Sequence, residues 1–222
     1  MIVAERKTIP ELVEILKGHK NILVLGCGTC VTVCLAGGER EVSIIASALR
    51  IAARLKGIDM NISELTIERQ CDNIFIEQAA EAIEKADAVL SLGCGAGVQA
   101  IAERYMGKPV YAGLNTSFLG ILEERGTWTE KCAACGACGL HKFGGICPIT
   151  RCAKHMLNGP CGGSREDRCE IRPDRPCAWQ LIYRRLESIG QLDRLKEIVP
   201  AKNWSTSLSG GPRVIIREDH RI

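Results

Sequence analysis

Thirteen cysteines stand in a chain of 222 residues, and they fall at two kinds of spacing. Five are spread along the first half: Cys27, Cys30, Cys34, Cys71 and Cys94. Eight crowd a much shorter stretch: Cys132, Cys135, Cys138, Cys147, Cys152, Cys161, Cys169 and Cys177. An odd number cannot all pair as internal disulfides. The start, Met1-Ile-Val-Ala-Glu-Arg-Lys-Thr8, reaches charged residues at once, unlike a secretory signal. No apolar run is long enough to span a bilayer. A reducing, cytoplasmic setting is expected, where clustered thiols point to metal binding rather than disulfides.

Residues 1–125 read as an α/β domain, and the 46% of apolar residues is ample for its core. Thr8 can cap a helix over Pro10–Leu16. The run Ile22-Leu23-Val24-Leu25 reads as a buried strand over 21–26. Val42, Ile45, Ala46, Leu49, Ala52 and Leu55 recur at helical spacing over 39–56. Strands follow over 61–67, 86–92 and 109–114, with helices over 75–85 and 98–105. The alternation predicts a mainly parallel, Rossmann-like sheet. Residues 126–180 lose this periodicity and read as a small cysteine-rich metal-binding module. Residues 181–222 read as a helix, begun at Ala178, and an extended docking tail with one short strand, Val214-Ile215-Ile216.

In a parallel sheet, residues just past the carboxyl ends of strands meet in one crevice. Cys27 comes just past the first buried strand, Cys71 follows the next and Cys94 the third. Four thiolates there would suit a [4Fe–4S] cluster or a zinc ion. Cys71 and Cys94 each stand alone at a strand end. Cys27, Cys30 and Cys34 compete for the other two places. The rival readings are a redox dithiol among those three, or buried cysteines acting as small apolar residues. Gly26-Cys27-Gly28 is a fragment of a dinucleotide fingerprint, but Val31 stands where its third glycine belongs.

Cys132-Ala-Ala-Cys135-Gly-Ala-Cys138 followed by Cys147-Pro148 resembles a ferredoxin cluster run. Eight residues rather than three separate Cys138 from Cys147, so these four need not share a centre. The eight cysteines can complete two four-thiolate sites, of iron–sulfur or zinc type. His141 and His155 lie among them as further candidate ligands or neighbours. Asp72 and Glu170 adjoin Cys71 and Cys169, as polar neighbours of a centre or as capping and solvated residues. Arg151 and Lys154 can offset thiolate charge. No Cys-x-x-Cys-His run is present for covalent haem.

Basic residues number 29 and acidic residues 26, well mixed, and aromatics make up only 4%. Nothing there favours nucleic acid. No phosphate loop and no Ser-His-Asp arrangement stands out.

The run Ile146-Cys147-Pro148-Ile149-Thr150-Arg151-Cys152-Ala153-Lys154, then Leu157-Asn158-Gly159-Pro160-Cys161-Gly162-Gly163, Cys169-Glu170 and Cys177-Ala178-Trp179, resembles the cysteine-rich C-terminal region associated with methylenetetrahydrofolate reductases. The earlier half is similar to the small subunit of the two-subunit reductase of anaerobic bacteria. It shares Cys27-Gly-Thr-Cys30, Cys34, Gly37-Gly38, Gln70-Cys71-Asp72, Gly93-Cys94-Gly95 and Asn115-Thr116. The resemblance implies one to three [4Fe–4S] clusters, with zinc as the alternative metal in the C-terminal module. It implies a flavin-containing large subunit as partner, with FMN or FAD on that partner alone. A ferredoxin or another redox subunit would be the donor, and the flavin would reduce 5,10-methylenetetrahydrofolate to 5-methyltetrahydrofolate. No nucleic-acid binding or membrane insertion is implied. Two other readings compete: a zinc-stapled structural or assembly subunit without a redox role, and an independent oxidoreductase or dehydratase-like enzyme.

Overall fold

The computed structural model describes residues 1–220; Arg221 and Ile222, the end of the predicted tail, lie outside the described residues. The chain divides into two units, Met1–Thr129 and Glu130–Ile222.

The first unit holds the expected parallel sheet. Its strands are β2 (Asn21–Cys27), β3 (Asn61–Ile67), β4 (Ala88–Ser91) and β5 (Val110–Ala112), in the order β3-β2-β4-β5. All neighbours are parallel. The apolar run of β2 serves both faces. Ile22 and Val24 join Leu90 and Leu92 in one core with helices α1 (Ile9–Ile15) and α3 (Glu39–Leu55). Leu23 and Leu25 join Val89 in another core with α4 (Asn73–Glu77), α5 (Ala80–Lys85) and α6 (Gly95–Arg104). Burial on both faces explains why these strands read as continuous apolar runs. In α3 the buried stripe is Val42, Ile45, Ala46, Leu49 and Ala53, which is helical spacing. The helix read over 75–85 is two, α4 and α5, and the Asp72 carboxylate caps the first by accepting from Ile74 N–H at 3.1 Å.

A second sheet was not foreseen from the sequence. Its strands are β1 (Ile2–Arg6), β6 (Leu114–Glu124) and β7 (Thr127–Cys132), in the order β1-β6-β7. β1 pairs antiparallel with β6, from Ile2 opposite Leu119 to Arg6 opposite Leu114. The turn between β6 and β7 holds Gly126 at φ 93°, a left-handed position that suits glycine in a tight hairpin.

The second unit has little regular structure. Short α7 (Pro148–Arg151) and longer α8 (Ala178–Ser188) frame its core. Ala178, Trp179, Ile182 and Leu186 of α8 are buried with Phe143, Cys152 and Cys177. Phe143 meets Trp179 edge-on, with ring centres 5.9 Å apart, and Trp179 Nε1 donates to Met156 O at 3.0 Å. The expected strand over Val214–Ile216 does not form. All three side chains are exposed and their backbone joins no sheet. β-branched residues favour a strand when a neighbouring strand is there to pair and pack with them.

Candidate metal centres

Strand order decides what the first cysteines can do. The chain runs from β2 outward to β3, then returns to the other side of β2 with β4. Connections that diverge in this way open a crevice at the carboxyl ends of β2 and β4. Cys27 is the last residue of β2 and Cys94 is the N-cap residue of α6, just past β4. Cys71 follows β3. Burial raises the pKa of the Cys71 thiol, and the nearby Cys94 and Cys27 sulfurs raise it further. These three thiols from three strand ends are therefore neighbours. Thr116 on β6 fixes one of the loops: its hydroxyl accepts from Gly95 N–H at 2.8 Å.

Cys30 and Cys34 bracket the short helix α2 (Cys30–Val33). This loop is drawn against β4 by Gly37, where a Cβ would come within 1.9 Å of Leu92 O. Cys34 points elsewhere. It is buried, and its thiol donates to Ala4 O and Val31 O, each at 3.6 Å. Burial pushes its pKa up, which favours the neutral thiol. Cys34 lines a separate cavity of about 600 Å³ with Phe118 and Trp128, whose buried indole N–H has no hydrogen-bond partner among the described residues.

The eight later cysteines divide into two sets of four, in chain order. Cys132, Cys135, Cys138 and Cys147 line one cavity of about 740 Å³, together with His141. Cys147 thus lines the same cavity as the early three, despite the longer spacing. Their loop is shaped by left-handed residues, Ala134 at φ 49° and Gly136 at φ 82°. A Cβ on Gly136 would sit 2.0 Å from Thr206 O, so the position needs glycine for space as well as for φ. Two donors face the sulfurs: Ala134 N–H donates to Cys132 Sγ at 3.3 Å and the Thr150 hydroxyl to Cys147 Sγ at 3.6 Å.

Cys152, Cys161, Cys169 and Cys177 surround a much smaller space of about 20 Å³. Cys152 and Cys177 are buried, at the end of α7 and the start of α8. Cys161 is held below the usual thiol pKa, first by the N–H of Gly163 and then by the charge of Lys154. Lys154 pairs with Glu170, whose carboxylate also accepts from Cys161 Sγ at 3.7 Å. Glu170 is thus a polar neighbour of this group, whereas Asp72 is a helix cap. His155 lines neither cavity, and its Nδ1 meets Ile149 O. Among the described residues, no three His, Cys, Asp or Glu side chains gather tightly enough to hold a single metal ion as they stand.

Sequence reasoning gave no part to Ser91 or Trp128, and Gln70 entered only within the run Gln70-Cys71-Asp72, without a role of its own. A signal existed for Ser91, a lone hydroxyl within the apolar run Ala88-Val89-Leu90-Ser91-Leu92.

Fold and sites together define a two-unit α/β protein with thiols gathered at parallel strand ends and in a cysteine-rich second unit. Among its described residues, no helix is long and apolar enough to cross a membrane. Residues 111–205 match the family model described as methylene-tetrahydrofolate reductase C terminal. That match associates the chain with methylenetetrahydrofolate reductase through its C-terminal part, from β5 to the end of the cysteine-rich stretch and beyond. No curated protein and no solved structure matches the chain.

Proposed function

We propose that the chain is the iron–sulfur electron-transfer subunit of a methylenetetrahydrofolate reductase. It would pass electrons from a low-potential donor, such as a ferredoxin or another redox subunit, to the flavin of a catalytic large subunit. That partner would reduce 5,10-methylenetetrahydrofolate to 5-methyltetrahydrofolate.

The observation that carries this reading is the convergence of Cys27, Cys71 and Cys94 from three adjacent parallel strand ends. Cys30, beginning α2 in the same loop as Cys27, is our choice for a fourth ligand, because the Cys34 thiol is engaged by carbonyls instead. Four thiolates of this kind fit a [4Fe–4S] cluster, which supplies one-electron exchange when bound. The roomy cavity that Cys132, Cys135, Cys138 and Cys147 help to line supports a second cluster. There the Ala134 N–H and the Thr150 hydroxyl put positive dipoles on the sulfurs, and such donors favour the more negative, reduced state. Sequence charge agrees: from Glu130 onward, sixteen basic residues accompany ten acidic ones, a surplus that offsets centres whose thiolates outweigh their metal.

The small space among Cys152, Cys161, Cys169 and Cys177 favours a second reading for that group alone, a single zinc ion with a stapling role. Its four thiols would close inward on the ion. Anaerobic analysis of iron, zinc and sulfide per chain tests both statements. Two iron–sulfur clusters and one zinc are expected, with visible absorbance that bleaches under dithionite. A colourless, anaerobically purified chain carrying zinc alone would overturn the electron-transfer reading and leave the zinc-stapled scaffold.

A further inference from the structure

In the first unit, one buried polar side chain ties together the strand ends that carry Cys27, Cys71 and Cys94. Gln70 is 1% exposed and Ser91 is fully buried. The Gln70 amide nitrogen donates to Leu25 O at 2.8 Å. Its Oε1 accepts from the Ser91 hydroxyl at 2.5 Å, and Ser91 Oγ accepts in turn from Gly93 N–H at 3.1 Å. Each member lies within three residues of a cysteine along the chain. Leu25 stands two residues before Cys27, Gln70 directly precedes Cys71, and Ser91 and Gly93 lead into Cys94.

The surrounding backbone is shaped to this side chain. A Cβ on Gly93 would come within 2.3 Å of Gln70 Oε1, and one on Gly97 within 2.7 Å of Gln70 Cβ. The Cys94 turn and the first turn of α6 therefore close directly on Gln70. Leu25 O also accepts from Leu92 N–H at 2.8 Å, so the same carbonyl holds both the sheet and the glutamine. The Gln70 and Ser91 side chains are both buried from water, where an unpaired amide is costly.

We propose that Gln70 is a positioning residue for the thiol centre of the α/β unit, its amide fixing the Cys71 and Cys94 loops relative to the end of β2. The inference rests on the metal-centre reading above. A glutamine that only filled space could be exchanged for methionine, which has similar length and no hydrogen-bonding amide. A positioning glutamine could not, because both loops would lose their common anchor while every cysteine stayed in place. Groups that orient ligands in this way tune metal retention and the electronic character of the centre.

The test uses the full chain, purified without oxygen, as wild type and as Gln70→Met, Gln70→Glu, Ser91→Ala and Cys71→Ala. Electron paramagnetic resonance of the dithionite-reduced protein identifies the signal that Cys71→Ala abolishes. In folded Gln70→Met that signal should shift, and its iron should be lost to a chelator roughly 10-fold more readily. Ser91→Ala should move the same signal. Gln70→Glu, which keeps an acceptor for Ser91, should recover part of the wild-type retention. A Gln70→Met protein with unchanged signal and unchanged retention overturns the proposal. Should that variant not fold, an unchanged signal in Ser91→Ala overturns it. A wild-type protein with no signal sensitive to Cys71→Ala overturns instead the metal-centre reading on which the proposal stands.

Discussion

The Cys34 thiol donates to the backbone oxygen of Ala4 on β1, 3.6 Å away. A sulfur engaged in this way belongs to the core beneath the antiparallel sheet. Cys34→Ala should therefore destabilise the fold by about 1–2 kcal/mol, in the ordinary range for a buried substitution, while iron per chain stays at the wild-type value. Cys71→Ala and Cys94→Ala should each lower iron by one cluster. Metal analysis beside thermal melting separates the two behaviours, and loss of a cluster in Cys34→Ala would put that thiol back among the ligands.

The two sets of four in the second unit should lose metal independently. Cys147→Ala is expected to empty the centre shared with Cys132, Cys135 and Cys138 while leaving the metal near Cys177. Cys161→Ala is expected to do the reverse. On the proposed metal-centre reading, thiolate ligation organises a unit with so small a core, so each change should also raise its susceptibility to protease. Cross-loss of both metals in either variant would contradict the grouping.

Gly37→Ala should be destabilising although its backbone needs no left-handed conformation. The added carbon would meet Leu92 O at 1.9 Å, so the Cys30–Cys34 loop or β4 must move. Overpacking of this kind costs about 1–3 kcal/mol. Chemical denaturation with a single probe in the first unit measures it, and a wild-type midpoint would show that the loop shifts freely.

Asp87 gives a pH dependence with a definite sign. Its carboxylate accepts from Asn21 N–H at 2.7 Å and Lys20 N–H at 3.1 Å, joining the starts of β2 and β4. The Asn21 backbone bond is the chief cause holding its pKa below the usual carboxylate value. A depressed folded pKa stabilises the fold fully above the unfolded pKa, and that stabilisation fades as pH falls through the folded value. Asp87→Asn should melt at a lower temperature than wild type at neutral pH, and the gap should close in strong acid. An equal gap at both pH values would mean that the ionised carboxylate is not the stabilising form.

Much of this architecture was legible in the residues, for a physical reason. Ile22-Leu23-Val24-Leu25 must be covered on both faces, and alternating helices supply that cover. The parallel order then brings strand ends together, which is why Cys71 and Cys94 stood out before any coordinates. The antiparallel sheet was opaque because Ile2–Arg6 finds its partner more than a hundred residues away, in Leu114–Leu119. No local pattern encodes so distant a pairing. Val214–Ile216 failed for the complementary reason, since local preference was present and a partner strand was not. Two four-thiolate sets were expected from the eight cysteines, but which four share a space was hidden. Loop spacing limits reach, but Gly136 against Thr206 and the turns around Cys147 decide which thiols share a space.

The three sets of thiols do not interleave along the chain. The strand-end set is complete by Cys94, the next by Cys147 and the last by Cys177. During synthesis each set has emerged in full before the first thiol of the following one appears. On the proposed metal-centre reading, insertion can then proceed vectorially, without exposing half-built sites that trade ligands with one another. A cross-braced arrangement, in which alternate pairs share an ion, would forgo that order and leave early thiols waiting on late ones.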